Sequence, residues 1–131
     1  MAVICITIGS LSCGGAERAA STLANYLAAR GYNIYILTML PTSPFYHLDE
    51  KIKVISPEKD PRLKGKIIGS YLIIKFLRQK LIKLSPDSVL NFIFPSFFMI
   101  LSFGLNLNIY ISIRNDPSKF AKFDFAIFRR I

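Results

Sequence analysis

Ala2-Val-Ile-Cys-Ile-Thr-Ile-Gly-Ser-Leu-Ser-Cys-Gly-Gly-Ala-Glu-Arg18 changes its hydrophobic period part-way along, and that change decides the fold. Ala2–Ile8 is an apolar run rich in β-branched residues that stops at Gly9, the signature of a buried strand. No basic residue precedes it, and it is short for the apolar region of a signal peptide. Gly9–Gly15 is a loop of glycine and serine. From Ala16 the apolar positions Ala16, Ala19, Ala20, Leu23, Ala24, Leu27 and Ala28 recur at helical spacing on one face. Gly31 stands where a helix C-terminus belongs, and Asn33–Met39 is a second strand. Strand, glycine loop, helix and strand in about 38 residues make a minimal right-handed βαβ crossover.

The alternation continues outward. Prolines 41, 44, 57 and 61 break the middle of the chain into turns around a short strand at Ile52–Ile55. A long helix is expected over Leu63–Leu84, where Ile67, Ile68, Tyr71, Leu72, Ile74, Leu77, Leu81 and Ile82 mostly keep helical spacing. Ser88–Phe94 and Asn108–Ile113 read as strands, with a short helix at Pro95–Gly104 between them. Asn115-Asp116-Pro117 is a turn into a last helix carrying Phe120, Phe123 and Ile127, with Asp116 as N-cap and Pro117 at the first position. The fold expected is therefore a Rossmann-like, three-layer α/β domain with a mostly parallel sheet. A membrane-spanning segment is the competing reading of Ser88–Ile113, which has 26 residues without a charge. Pro95, Gly104 and the amides of Asn91, Asn106 and Asn108 argue against it.

Composition narrows the class. Of 131 residues, 52% are apolar and 19% charged, which excludes a disordered chain. Cys5 and Cys13 have no companion Cys pair or His, so a disulfide framework or zinc site is not expected and a reduced, cytoplasmic setting is the default. The net charge of +9 is unevenly placed: about −1 over residues 1–50 and about +10 over the remainder. Such asymmetry points to an anionic partner. Lys59, Arg62, Lys64, Lys66, Lys75, Arg78, Lys80 and Lys83 surround the long apolar helix with only Asp60 against them, so an anionic membrane surface is an expected partner. Nucleic acid is not, because the aromatics lie in apolar runs rather than between the basic residues.

The glycine loop is the first candidate site. A loop that opens a helix presents free backbone N–H groups and a positive dipole end, both suited to phosphate. Its spacing, Gly9-x4-Gly14-Gly15, is neither GxGxxG nor a P-loop with a following Lys-Ser/Thr. The alternative is a tight strand-to-helix turn with no ligand. Glu17 lies in the first helical turn, where a carboxylate stabilises the helix whatever else it does. The lone His47 sits among prolines as a surface residue, and no metal site is expected. With eight scattered acidic residues and one histidine, neither a paired-carboxylate hydrolase nor a nucleophilic triad is supported.

The run Ile8–Arg18, followed by Leu23-Ala-Asn-Tyr-Leu-Ala-Ala-Arg-Gly31, resembles the opening of family-4 retaining glycosyltransferases, which have a GT-B fold. Ser112-Ile-Arg-Asn-Asp-Pro117 resembles a later segment of the same N-terminal domain. The resemblance covers nearly the whole chain, with Cys13 where Gly is common and Ile113 where Glu is common. It implies an acceptor-side domain, cut short before the C-terminal domain that holds most of a nucleotide-sugar. Gly14, Gly15, Glu17 and Arg18, with Arg114 and Asn115, would then bind substrate. The implied reaction is hexosyl transfer with retention from a nucleotide-sugar to a glycan or lipid-linked acceptor in cell-surface polysaccharide synthesis. It requires no metal or other cofactor, and the fragment alone is expected to be inactive. The enzyme would be cytoplasmic and peripheral on the inner face of the plasma membrane. A non-catalytic Rossmann-like binding or membrane-associated module is the alternative.

Overall fold

The computed structural model describes residues 2–59, 61–93, 99 and 102–111. Among the described residues five strands form one parallel sheet: β1 (Val3–Ile8), β2 (Asn33–Thr38), β3 (Lys53–Ile55), β4 (Ser88–Asn91) and β5 (Ile109–Ile111). Their order is β3-β2-β1-β4-β5, and every pair is parallel. Two helices are described in full, α1 (Gly15–Ala29) and α2 (Lys66–Leu84). α1 returns the chain to one flank of β1, whereas α2 carries it from β3 across to the other flank. Right-handed crossovers running in opposite directions must put their helices on opposite faces. The core divides accordingly. Ile6, Ile8, Ile34 and Ile36 meet Ala20, Ala24 and Ala28 of α1 on one face. Cys5, Leu37 and Val89 meet Ile73, Leu77 and Leu81 of α2 on the other. This is the expected three-layer Rossmann-like domain.

Local chemistry sets the ends of the elements. After α1, the Gly31 N–H donates to Ala28 O (3.0 Å) and the Tyr32 N–H to Leu27 O (3.3 Å), while Gly31 takes φ +92°. These two bonds satisfy the last carbonyls of the helix, and glycine adopts the left-handed turn without steric cost. The long helix begins later than its apolar spacing implies. Pro61–Lys64 is a separate 3-10 turn, and Gly65, at φ −72° and ψ 140°, breaks the path before α2. β4 stops at Asn91 rather than running to Phe94, because the Asn91 Oδ1 accepts the Ile93 N–H (3.0 Å) and turns the chain out of the ladder. Met99 and Ser102 are helical; the rest of the helix expected before Gly104 falls largely outside the described residues. So do residues 112–113 of the last strand and the helix expected after Pro117.

The apolar positions of α2 divide between its inward and outward sides. Only Leu77 and Leu81 of its eight cited apolar positions are fully buried, whereas Ile67, Ile68, Tyr71 and Ile82 are exposed. The core uses Ile73 instead. At the sheet edge, β3 is three residues long, with the Lys53 ammonium 5.6 Å above the Tyr35 ring. The uncharged 88–113 segment contributes two strands, and no described helix is long and apolar enough to cross a membrane.

Both cysteines are free thiols. Burial pushes the Cys5 thiol up to about 12, so its reactive thiolate is scarce; Cys13 is exposed in the glycine loop. At about pH 8 an aromatic disulfide reagent should titrate one thiol per folded chain and the second only in denaturant. Fast labelling of both in the folded protein would contradict this burial.

Candidate functional site

In an open parallel sheet ligands gather beyond the carboxyl ends of the strands, where the strand order reverses. Here that point lies between β1 and β4, each leading into a loop on the same side. The loop after β1 is held from behind by the segment that follows β2. The Gly9 carbonyl accepts the N–H groups of Met39 and Leu40, both at 3.1 Å. Leu11 drops into the α1-side core, its N–H donating to Thr42 Oγ1 (3.1 Å) and its carbonyl accepting the Phe45 N–H (2.9 Å). The Tyr46 hydroxyl donates to Cys13 O at 3.0 Å and lies 3.4 Å from Gly14 O. Carbonyls of the loop thus turn toward residues 39–46.

The first turn of α1 is open by contrast. Gly14 is its N-cap and supplies no side-chain cap, leaving the first backbone N–H groups without intrahelical acceptors. Gly15 is exposed, and a Cβ built on it would meet nothing within 4 Å. Gly14 differs: a Cβ there would collide with the Glu17 carboxylate, whose Cδ would be 3.0 Å away. Glu17 therefore curls back over its own helix terminus, where its charge favours the dipole. Arg18 is exposed one turn along from Gly15, with no ion-pair partner among the described residues. The two border a shallow, largely apolar depression along α1 that continues through Ala19, Thr22, Leu23 and Tyr26. The Arg30 guanidinium lies 4.5 Å above the Tyr26 ring at its far end.

Beneath the switch point lies a buried polar pair that the sequence did not single out as a site. Thr7 Oγ1 donates to Asn91 Oδ1 (2.8 Å), and Asn91 Nδ2 donates to Ile93 O (3.0 Å). An asparagine in the apolar 88–94 run was its sole sequence signal. The pair ties the ends of β1 and β4 together under both loops. Of the residues expected to bind substrate, the structure brings together Gly14, Gly15, Glu17 and Arg18; Arg114 and Asn115 lie outside the described residues. His47 is exposed, and its carbonyl accepts the Asn25 side-chain amide (2.8 Å). Among the described residues no group of three or more His, Cys, Asp and Glu is placed to hold a metal ion.

This sheet order, helices on both faces and an open helix terminus at the switch point define a Rossmann-like α/β domain, and its solved counterparts include glycosyltransferases of GT-B fold. Over 92% of its length the chain superposes on the crystal structure of WaaG, a glycosyltransferase involved in lipopolysaccharide biosynthesis, with a TM-score of 0.63 and 13% identity. In sequence it is 33% identical over 79 residues, 60% of the chain, to a protein of Haemophilus influenzae named as an uncharacterized glycosyltransferase. The matched regions span 22% of that relative and 41% of the WaaG chain. No protein-family model matches the sequence.

Proposed function

We propose that this chain is the N-terminal, acceptor-side domain of a retaining GT-B glycosyltransferase that transfers a hexose from a nucleotide-sugar. The acceptor is a glycan or lipid-linked sugar in cell-surface polysaccharide synthesis, handled on the cytoplasmic side of the membrane. The observation that carries this reading is the uncapped first turn of α1, with Gly15 bare and Arg18 exposed beside it, at the sheet's switch point. The glycosyltransferase relative and the lipopolysaccharide enzyme of similar fold support the reaction class.

The chemistry follows from that geometry. When a nucleotide-sugar loses its sugar, the anomeric carbon becomes electron-poor and the departing diphosphate gains negative charge. Backbone N–H groups of Gly15 and Ala16, with the Arg18 guanidinium, would stabilise that charge without a metal. Arg114 and Asn115, which follow β5, would add contacts to phosphate or acceptor. A second α/β domain would hold the nucleotide, closing a cleft over the loop after β1. The 131-residue chain then has no turnover alone, whereas a polypeptide of its relatives' length transfers sugar from at least one donor in a panel of nucleotide-sugars. Transfer by the short chain would overturn the two-domain mechanism. No transfer or hydrolysis by the longer polypeptide with any donor would favour a non-catalytic module.

A further inference from the structure

α2 is apolar on two sides. Its inward side packs Ile73, Leu77 and Leu81 against the sheet. Its outward side carries Ile67, 85% exposed, Ile68, 59% exposed, and Tyr71, 62% exposed. Lys75 follows four residues after Tyr71, so the four share one surface of the helix. A surface helix ordinarily shows polar residues there, and grouped exposed apolar side chains mark an interaction site.

A distant segment enlarges the same surface. Arg78, one turn beyond Lys75, donates from Nη1 to the Phe103 carbonyl at 2.6 Å. Phe103 is 81% exposed, and Gly104 turns sharply behind it with φ +78°. The ring is therefore presented beside α2 rather than folded into the core. Charge identifies the occupant. From residue 59 to residue 83 the chain has eight Lys and Arg against one Asp. Interfaces between proteins are depleted in lysine at their centres. Helices that lie on membranes instead mix Ile, Phe and Tyr with Lys and Arg, whose aliphatic stems run along apolar surface while the charge stays wet.

We propose that the outward face of α2, with Phe103, docks reversibly on an anionic lipid bilayer. Ile67, Ile68 and Phe103 enter the acyl boundary, Tyr71 sits at headgroup level, and the flanking cations meet lipid phosphates. The helix lies on the bilayer and does not cross it, in keeping with the lack of any described helix long and apolar enough to span one. This inference is independent of the proposed reaction.

Co-sedimentation of the 131-residue chain with vesicles tests it. Vesicles of phosphatidylcholine mixed with phosphatidylglycerol should bind the chain, with partitioning at least about tenfold stronger than onto phosphatidylcholine alone and weakening as salt is added. The triple variant Ile67→Ser, Ile68→Ser, Tyr71→Ser should lose on the order of tenfold or more, with circular dichroism and melting temperature unchanged because these side chains are exposed. Lys75→Gln with Lys83→Gln should lose roughly 30-fold. Phe103→Ser, outside the helix, decides the case should the triple variant fail to fold, and it too should weaken binding. Equal binding to both vesicle types, absence of binding, or folded variants that sediment like the parent would overturn the proposal. So would a concentration-dependent dimer dispersed by the triple variant with vesicles unbound, which would assign this face to a second copy of the chain.

Discussion

Replacing Gly15 with valine, in a polypeptide that carries this domain and transfers sugar, lowers kcat/KM for the nucleotide-sugar by at least about 100-fold while leaving the domain folded. Both halves of that expectation come from geometry. Gly15 occupies the first position of α1, is exposed, and would place a new Cβ in open space. Its φ is not positive, unlike those of Gly31 and Gly104. Valine therefore meets no clash, and in a helix it is intrinsically no worse than the glycine it replaces. The open space itself is what the proposed mechanism uses. A branched side chain there would keep a diphosphate from reaching the N–H groups of the first turn, and hydrogen bonds to a charged group are worth about 1.5–3 kcal/mol each. Melting temperature and steady-state rates measured on one preparation separate the two effects. A variant with the parent's rates would remove the loop from the site.

Asn91→Ala should destabilise the domain by about 2–4 kcal/mol in urea denaturation. The side chain is fully buried and makes three hydrogen bonds, with Thr7 Oγ1, the Ile93 N–H and the Ile93 carbonyl. Truncation leaves each of those partners buried without its bond, and the cost of an unsatisfied buried polar group exceeds the net worth of the bond itself. Thr7→Val is the matched control. It removes one bond from the opposite end and leaves Asn91 its two contacts with Ile93, so it should cost less, about 1 kcal/mol. Equal and small losses in the two variants would mean that water replaces the missing groups and that the pair does not tie β1 to β4.

Local chemistry made much of the fold legible. The shift from β-branched run to helical spacing around Gly14 and Gly15 located β1 and α1, and Gly31 marked the helix end because only a residue at ease with positive φ fits there. Alternating periods implied parallel strands with helices on both faces. What remained hidden depends on contacts between distant segments. Nothing near Tyr46 announces that its hydroxyl reaches Cys13 O, 33 residues earlier, so the clamp behind the glycine loop had no sequence signature. Glu17 was recognisable as a dipole partner, but not as the group covering Gly14. In α2 helical spacing was evident while its orientation was not, because apolar residues lie on both sides; which of Ile67 or Ile73 faces inward is settled only by the sheet it packs on.

β3, at one of the two edges of the described sheet, bears on how this protein behaves at high concentration. A rim of three residues offers little unpaired main chain for a foreign strand to zip onto, and the ammonium of Lys53 would have to shed its hydration for a copy to approach. Although more than half of its residues are apolar, the folded domain should resist stacking into fibrils from that side.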